Sequence, residues 1–458
     1  MAADTMLSST EPATNTKPGE LARVLGLGDL IAIVLGTVIG SAIFIVPSSV
    51  LRSVGVRSDV AMGVWVLGGV LSLLGALTFG ELGAMMPEAG GLYVYLRDAF
   101  GPFFAFLYGW TQFFVIASGS IATLGVASRD FLLALVPLAP ALSKFVPVLV
   151  IAVFTAINVW GTRKSVGVQV AATAIKVGGI VVMVLLLLVA GRVHTTPATT
   201  VNTNVSGLAL VGGAGLALVA TLWAYEGWQY VTFSAGEARN PQRTFPLGIA
   251  IGTAGVVVLY LLANVAYSRA LGPLGVAGSN HVAADAMGAA YGPVARWATV
   301  AVVEVAMCSA LNSIILTAPR VFFAMARDGL FFKRLADVHP RFGTPAFAIV
   351  ASSVWAMVLT ASGTYERLFT YVIGTGWAFY GASALTIFWY RRHRSNVVRP
   401  FRVPGYPLTP ALFVLASVAV VMDVVITKPA DAAKGLVIVL IGAPAYLIWR
   451  GRRGQKAG

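Results

Sequence analysis

Apolar stretches recur along the whole chain. They lie near 27–50, 60–86, 100–127, 145–160, 166–190, 208–235, 246–268, 295–325, 345–361, 367–390, 408–427 and 434–449. An α-helix needs about 20 predominantly apolar residues to cross a bilayer, and most of these stretches are of that order. The polar segments between them are mostly short. The pattern predicts twelve membrane-spanning helices, an all-α polytopic membrane protein, and no extramembrane domain.

Composition agrees with that reading. Only 11% of the 458 residues are charged and 58% are hydrophobic, with a mean hydropathy of +0.83, whereas a soluble domain is about 25% charged. Charge this sparse cannot cover a water-soluble body, which argues against a soluble enzyme, a disordered chain or a fibrous protein. The formal net charge is +14. On a soluble protein it would suggest nucleic acid; here it marks loops on one side of a membrane. With both termini cytoplasmic, 21 of the 32 Lys and Arg residues fall inside, 10 fall outside, and Lys176 lies within a span. That bias predicts a multi-pass cell-membrane protein in this orientation. It includes a cytoplasmic tail at 1–22, a basic tail at 450–458, and the lipid bilayer rather than nucleic acid as partner. The first 20 residues are polar, so the first span is expected to target the chain itself. The lone Cys308 forbids an internal disulfide and, with four scattered histidines (His194, His281, His339, His393), offers no metal motif. No cofactor is expected.

Two spans carry signs of interruption. The first reads Gly36-Thr37-Val38-Ile39-Gly40-Ser41-Ala42-Ile43-Phe44, then Pro47. Gly36 and Gly40 form a GxxxG pattern that lets helices pack closely. Equally, the segment could unwind at mid-membrane, exposing amides that suit a carboxylate and carbonyls that suit an ammonium. The sixth reads Thr221-Leu222-Trp223-Ala224-Tyr225-Glu226-Gly227-Trp228. A carboxylate there is costly in lipid, so Glu226 should face a cavity or a polar partner. The two spans are five apart, so they correspond if the first ten helices form two five-helix units. Paired interruptions in two halves are the best sequence pointer to a transport site.

Further polar residues fall inside spans. Lys176, about ten residues into the fifth, must be paired, hydrogen-bonded, neutral, or snorkelling to an interface. It could be a fixed cation in the place of a metal ion, or a proton carrier. In the eighth span Ser309 and Asn312 share a helical face with Ser313 beside them. They could line a cavity, hold Lys176, or only join helices. Glu304 calls for a polar partner.

At these residues the chain resembles the amino acid–polyamine–organocation transporters, most closely their L-type amino acid transporter branch. The matches are Gly36 to Phe44, Gly80-Glu81-Leu82 through Pro87-Glu88-Ala89-Gly90-Gly91, Trp223 to Trp228, and Glu237-Ala238-Arg239-Asn240-Pro241. Further on come Ala326-Arg327-Asp328-Gly329, His339-Pro340-Arg341, Thr344-Pro345 and Arg399-Pro400-Phe401-Arg402-Val403-Pro404. The resemblance implies a five-plus-five inverted repeat (23–200 and 201–398) plus two extra helices (399–449). It implies a central site in which the amides of Ser41, Ala42 and Ile43 hold the carboxylate of an L-amino acid. Carbonyls near Val38 and Ile39, and at Trp223, Ala224 and Glu226, would hold its ammonium. Trp223 would be the outer gate. Lys176 would stand where sodium-coupled relatives bind an ion, tethered to helix 1 and to Ser309 or Ser313. The implied function is sodium-independent amino acid transport, by exchange or proton coupling, with a neutral substrate favoured. Two positions depart from the pattern: the L-type branch usually has glycine at 42, and many relatives have glycine at 226. An acid at 226 leaves a cationic amino acid or polyamine open as an alternative. Animal members join a glycoprotein through an extracellular cysteine; Cys308 lies within a span, so no disulfide-linked partner is expected. The short termini suit a prokaryotic member.

Other classes lack their motifs. There is no HExxH, P-loop or GxSxG to support an intramembrane enzyme. Gly213-Ala214-Gly215 follows no strand, which excludes a dinucleotide fold, and no repeated filter sequence supports a channel.

Overall fold

A computed structural model describes residues 21–135, 138–191, 203, 205–362 and 365–454. Most of the expected tail at 1–22, and residues 455–458 of the expected basic tail, lie outside them. The chain begins with α1 (Leu27–Val38), α2 (Ala42–Ser53), α3 (Ser58–Met85), α4 (Leu92–Phe100) and α5 (Pro102–Thr111). After a π-helical turn at Gln112–Ile116 come α6 (Ala117–Leu135), α7 (Pro140–Ser143), α8 (Val146–Val159), α9 (Thr162–Ala190) and α10 (Gly207–Ala224). A 3-10 segment at Trp228–Glu237 leads to α11 (Pro241–Ala277), α12 (Val282–Tyr291), α13 (Pro293–Thr317) and α14 (Pro319–Arg327). The chain ends with α15 (Ala346–Ser362), α16 (Tyr365–His393), α17 (Leu408–Thr427) and α18 (Pro429–Gly454). Among the described residues there is no strand, only an isolated bridge between Leu25 and Ala238.

Each predicted stretch falls on helix. Among the described residues nine helices are long and apolar enough to cross a membrane, or ten if α1 and α2 are one bent span. The Ala346–Ala361 stretch of α15 is apolar but shorter. The protein is therefore a multi-pass membrane protein. The helices show broad apolar faces to their surroundings, with Leu208 90%, Val189 82% and Val294 81% exposed, as lipid-facing residues must be.

Helix starts follow local chemistry. Gly101-Pro102 and Gly292-Pro293 open α5 and α13, each with the glycine at positive φ and the proline in the first turn. Proline tolerates that position because its missing N–H would be unpaired there anyway. Pro319 separates α14 from α13 for the converse reason, since it cannot donate to the preceding turn. The short helices α4 and α12 were not anticipated, because neither carries a long apolar run.

The centre of the molecule is α1, packed against α9, α11, α13 and the 3-10 segment. Its start is pinned: the Asp29 carboxylate accepts from the Gly26 amide at 2.8 Å, and Leu25 N–H donates to the Glu237 carbonyl at 2.9 Å. Two of the motif segments also meet. Glu81, 1% exposed, accepts from Arg391 at 2.7 Å and from the Val403 amide at 2.7 Å.

Candidate functional site

Two helix interruptions face each other. α1 ends at Val38 and α2 begins at Ala42, bent by 47°. Ile39 leaves the helical region (φ −79°, ψ 90°), and the Gly40 amide turns back to the Val38 carbonyl at 3.0 Å. The first-turn amides of α2, at Ala42 and Ile43, fall where a helix offers no internal acceptor. The second break is Tyr225-Glu226-Gly227, between α10 and the 3-10 segment. Gly227 has φ +127°, and a Cβ there would lie 2.8 Å from the Thr37 carbonyl group and 2.9 Å from the Val38 nitrogen. Only glycine lets the two breaks touch main chain to main chain. The segment reading of the first span therefore holds at 39–41. Packing holds at Gly36, where a Cβ would strike the Gln169 amide and the Ser313 hydroxyl.

Beside the breaks is a cavity of about 630 Å³ of empty space, part of it open to solvent. Val38, Ser41, Ala42, Trp223 and Glu226 line it. Ile39, Ile43 and Ala224 are buried next to it without bordering it. Sequence reasoning missed Ser120 and Thr123 of α6, Tyr230, Ala310, Ile314 and Val372. The i, i+3 spacing of Ser120 and Thr123 was the available signal.

The Glu226 carboxylate accepts from the Tyr380 hydroxyl of α16 at 2.8 Å and from the Gln229 amide at 3.3 Å. Gln229 in turn accepts from the Gly227 amide at 3.0 Å. The second break is thus stitched by side chains. The other Glu226 oxygen is buried without a partner among the described residues.

Lys176 is 0% exposed. Its ammonium donates to the Gly36 carbonyl at 2.8 Å and the Ile39 carbonyl at 2.8 Å, at the C-terminal end of α1, where the helix dipole is negative. The Val38 carbonyl accepts from the Tyr260 hydroxyl at 3.1 Å, and the Trp223 carbonyl from the Glu226 amide at 2.9 Å. Carbonyls expected to hold a substrate ammonium thus already carry internal donors.

Ser309 accepts from Gln169 at 2.9 Å, the tie expected from Lys176. Ser313 sits against Gly36. Gln169 belongs to a buried polar ladder. Ser165 donates to Asn158 at 2.6 Å, Asn158 to Asn312 at 2.8 Å, and Asn312 to Gln169 at 2.9 Å. Gln169 also donates to Thr173 at 3.1 Å, and Thr173 to the Ala32 carbonyl at 3.2 Å. The ladder joins α8, α9, α13 and α1 without a charge. Glu304 finds its partner in Ser128 of α6. Arg320 and Glu237, each 1% exposed, pair at 2.7 Å, with Thr162 accepting from Arg320 at 3.1 Å.

The family model described as amino acid permease matches residues 25–444. The serine/threonine exchanger SteT of Bacillus subtilis (strain 168) is 31% identical over 450 residues, 97% of this chain and 100% of that protein. The b(0,+)-type amino acid transporter 1 of Rattus norvegicus is 34% identical over 432 residues, 92% of this chain and 86% of the relative. The cystine/glutamate transporter of Homo sapiens is 30% identical over 457 residues, 97% and 89% respectively.

Proposed function

The chain belongs to the amino acid permease family, making it a membrane transporter rather than an enzyme, and we propose that it moves L-α-amino acids across the cell membrane by alternating access. The observation that carries this reading is the pair of interrupted helices meeting at Thr37 and Gly227 beside a cavity into which Ser41, Ser120, Thr123 and Glu226 also face. Unwound half-helices supply fixed dipoles for a zwitterion at no desolvation cost to a side chain.

In this reading the substrate carboxylate takes the amides of Ser41, Ala42 and Ile43. Its ammonium turns to the carbonyl ends of both breaks, at Val38, Ile39, Trp223, Ala224 and Glu226. The engaged carbonyls each retain a second lone pair. Trp223 closes over the substrate. Lys176 fills the position of a coupling ion, with Ser309 and Ser313 around it, so no sodium is needed. The driving force is a counter-moving amino acid or a proton. The architecture we assign has twelve spans. The units 23–200 and 201–398 are inverted repeats, 399–449 adds two helices, and both termini are cytoplasmic.

A neutral L-amino acid is the favoured substrate, in line with the serine/threonine name of one relative. A second reading, cationic amino acid or polyamine transport, is favoured by one observation: the Glu226 carboxyl in the cavity wall. Cys308 lies in α13, so a disulfide to a partner subunit has no anchor.

Proteoliposome uptake tests the proposal. Labelled L-serine, L-threonine, L-arginine, L-cystine and putrescine would be offered against internal L-serine, without sodium. Saturable uptake of one or more amino acids is expected. Uptake of putrescine alone would replace the carboxylate-binding reading, and no uptake of any would end it.

A further inference from the structure

The far wall of the central cavity is built by α6, α13 and α16. Beside the first break, a Cβ on Gly40 would lie 3.6 Å from Leu124 of α6 and 3.7 Å from Ala310 of α13. Ser128 of α6 meets Glu304 of α13 further along, so the two helices run antiparallel. Ser120, one turn before Leu124, and Ile314, one turn after Ala310, therefore form the next layer. Val372 of α16 packs onto that layer at Gly119, where a Cβ would lie 2.9 Å from it. Leu124, Ala310, Ser120, Ile314 and Val372 all border the cavity, with Thr123 next to Leu124. The wall is thus apolar except for two hydroxyls on one helix.

Both hydroxyls have a fixed sense. Ser120 donates to the Ile116 carbonyl at 2.7 Å, and Thr123 to the Gly119 carbonyl at 2.8 Å. A hydroxyl has one hydrogen and two lone pairs, and here the preceding turn of the same helix already takes the hydrogen. What α6 offers the cavity is acceptor oxygen. Thr37 is held the same way, donating to the Ile33 carbonyl. One Glu226 oxygen accepts from Tyr380 and Gln229, and the other has no donor among the described residues. The side chains on the wall that carry an N–H or O–H without such a tie within their own helix, Ser41, Trp223 and Tyr230, all belong to the broken spans. Among the described residues no Lys, Arg, His, Asn or Gln borders the cavity, and Lys176 is bound to the Gly36 and Ile39 carbonyls behind it.

We propose that Ser120 and Thr123 set specificity by hydrogen-bond polarity, selecting L-amino acids whose compact side chain brings a donor, hydroxyl amino acids first, and turning away side-chain carboxylates. The inference rests on the transport reading above and deepens it. With the substrate carboxylate at the α2 amides, its side chain meets the α6, α13 and α16 wall. A side-chain hydroxyl there can donate to oxygens whose own hydrogens are engaged, while its carbon skeleton lies on Leu124, Ala310, Ile314 and Val372. Valine has the shape of threonine and no donor, so it leaves both oxygens without a partner. A wholly apolar wall would give the opposite order, because burying an unpaired hydroxyl is unfavourable. A second carboxylate would face lone pairs and the Glu226 carboxyl with no cation to offset them.

The test uses the full chain in liposomes of phosphatidylethanolamine and phosphatidylglycerol loaded with L-serine and L-valine. Labelled L-threonine should enter about tenfold faster than L-valine at equal low concentration. It should equally outpace O-methyl-L-serine, an isomer of threonine whose ether oxygen accepts but cannot donate. L-aspartate should not enter. Ser120→Ala combined with Thr123→Val should bring threonine down to the valine rate, whereas Thr123→Ser should keep the preference. Protection against heat in detergent by threonine over valine reads the same preference without transport, and the panel on the unmutated protein is independent of variant folding. Valine entering as fast as threonine in the unmutated protein, or a preference that survives loss of both hydroxyls, would overturn the assignment and leave the transport reading standing. If no amino acid enters through the unmutated protein, both fall.

Discussion

Gly227 has no room for a methyl group. Its positive φ strains any other residue, and the Thr37 main chain stands where a Cβ would go. Gly227→Ala should cost at least ~1–3 kcal/mol from backbone strain alone. A lowered melting temperature in detergent, together with lost uptake, would register it; unchanged values would show that the breaks can part freely. Lys176 makes a different argument. Its ammonium is the donor for two carbonyls that α1 cannot satisfy internally. Lys176→Met keeps the stem and removes the donor. It should reduce turnover about tenfold or more, since a lost buried charged hydrogen bond is worth ~1.5–3 kcal/mol. Initial uptake rates beside an equilibrium binding measurement would show whether binding survives while turnover does not.

At the scale of elements, the Arg320–Glu237 pair ties the α13–α14 junction to the end of the 3-10 segment and, through Thr162, to the start of α9. Arg320→Met leaves the Glu237 carboxylate buried without its cation, with only the Thr162 hydroxyl donating to it at 3.4 Å, and breaking a buried pair in this way typically costs ~3–5 kcal/mol. Removing both partners, Arg320→Met with Glu237→Met, should cost less than the single change. A double-mutant cycle read by thermal unfolding in detergent checks this, and additive losses would mean the pair is not coupled. Much of this level was legible in the sequence. Apolar run length placed a helix on every predicted stretch, and the expense of charge in lipid drew attention to Lys176 and Glu226. What hydropathy could not report is main-chain pairing. The π-helical turn at Gln112, the helices α4 and α12, and the ladder through Asn158, Gln169 and Asn312 depend on which neighbours helices find. The tie from Gln169 to Ser309 is a case in point: Lys176 and Gln169 lie two turns apart on α9, and only packing decides which reaches α13.

Across the described residues an apolar exposed face surrounds a mainly apolar core threaded by polar ties, with arginine-rich clusters such as Arg391, Arg394 and Arg399 around Glu81 and Asp98. If both termini are cytoplasmic, that cluster faces the cytoplasm and Arg57 faces out. In a Cys308→Ser background, Arg392→Cys should react with a membrane-impermeant maleimide only in inside-out vesicles, and Arg57→Cys only in right-side-out ones. The reverse pattern would invert the assigned topology. The meeting of the two breaks also has a genetic consequence. In a strain dependent on this carrier, selection for recovery from Gly227→Ala should return the original codon. Compensating changes at positions 37 or 38 should not appear, because the obstructing atoms are common to all twenty amino acids and no codon exchange can delete them.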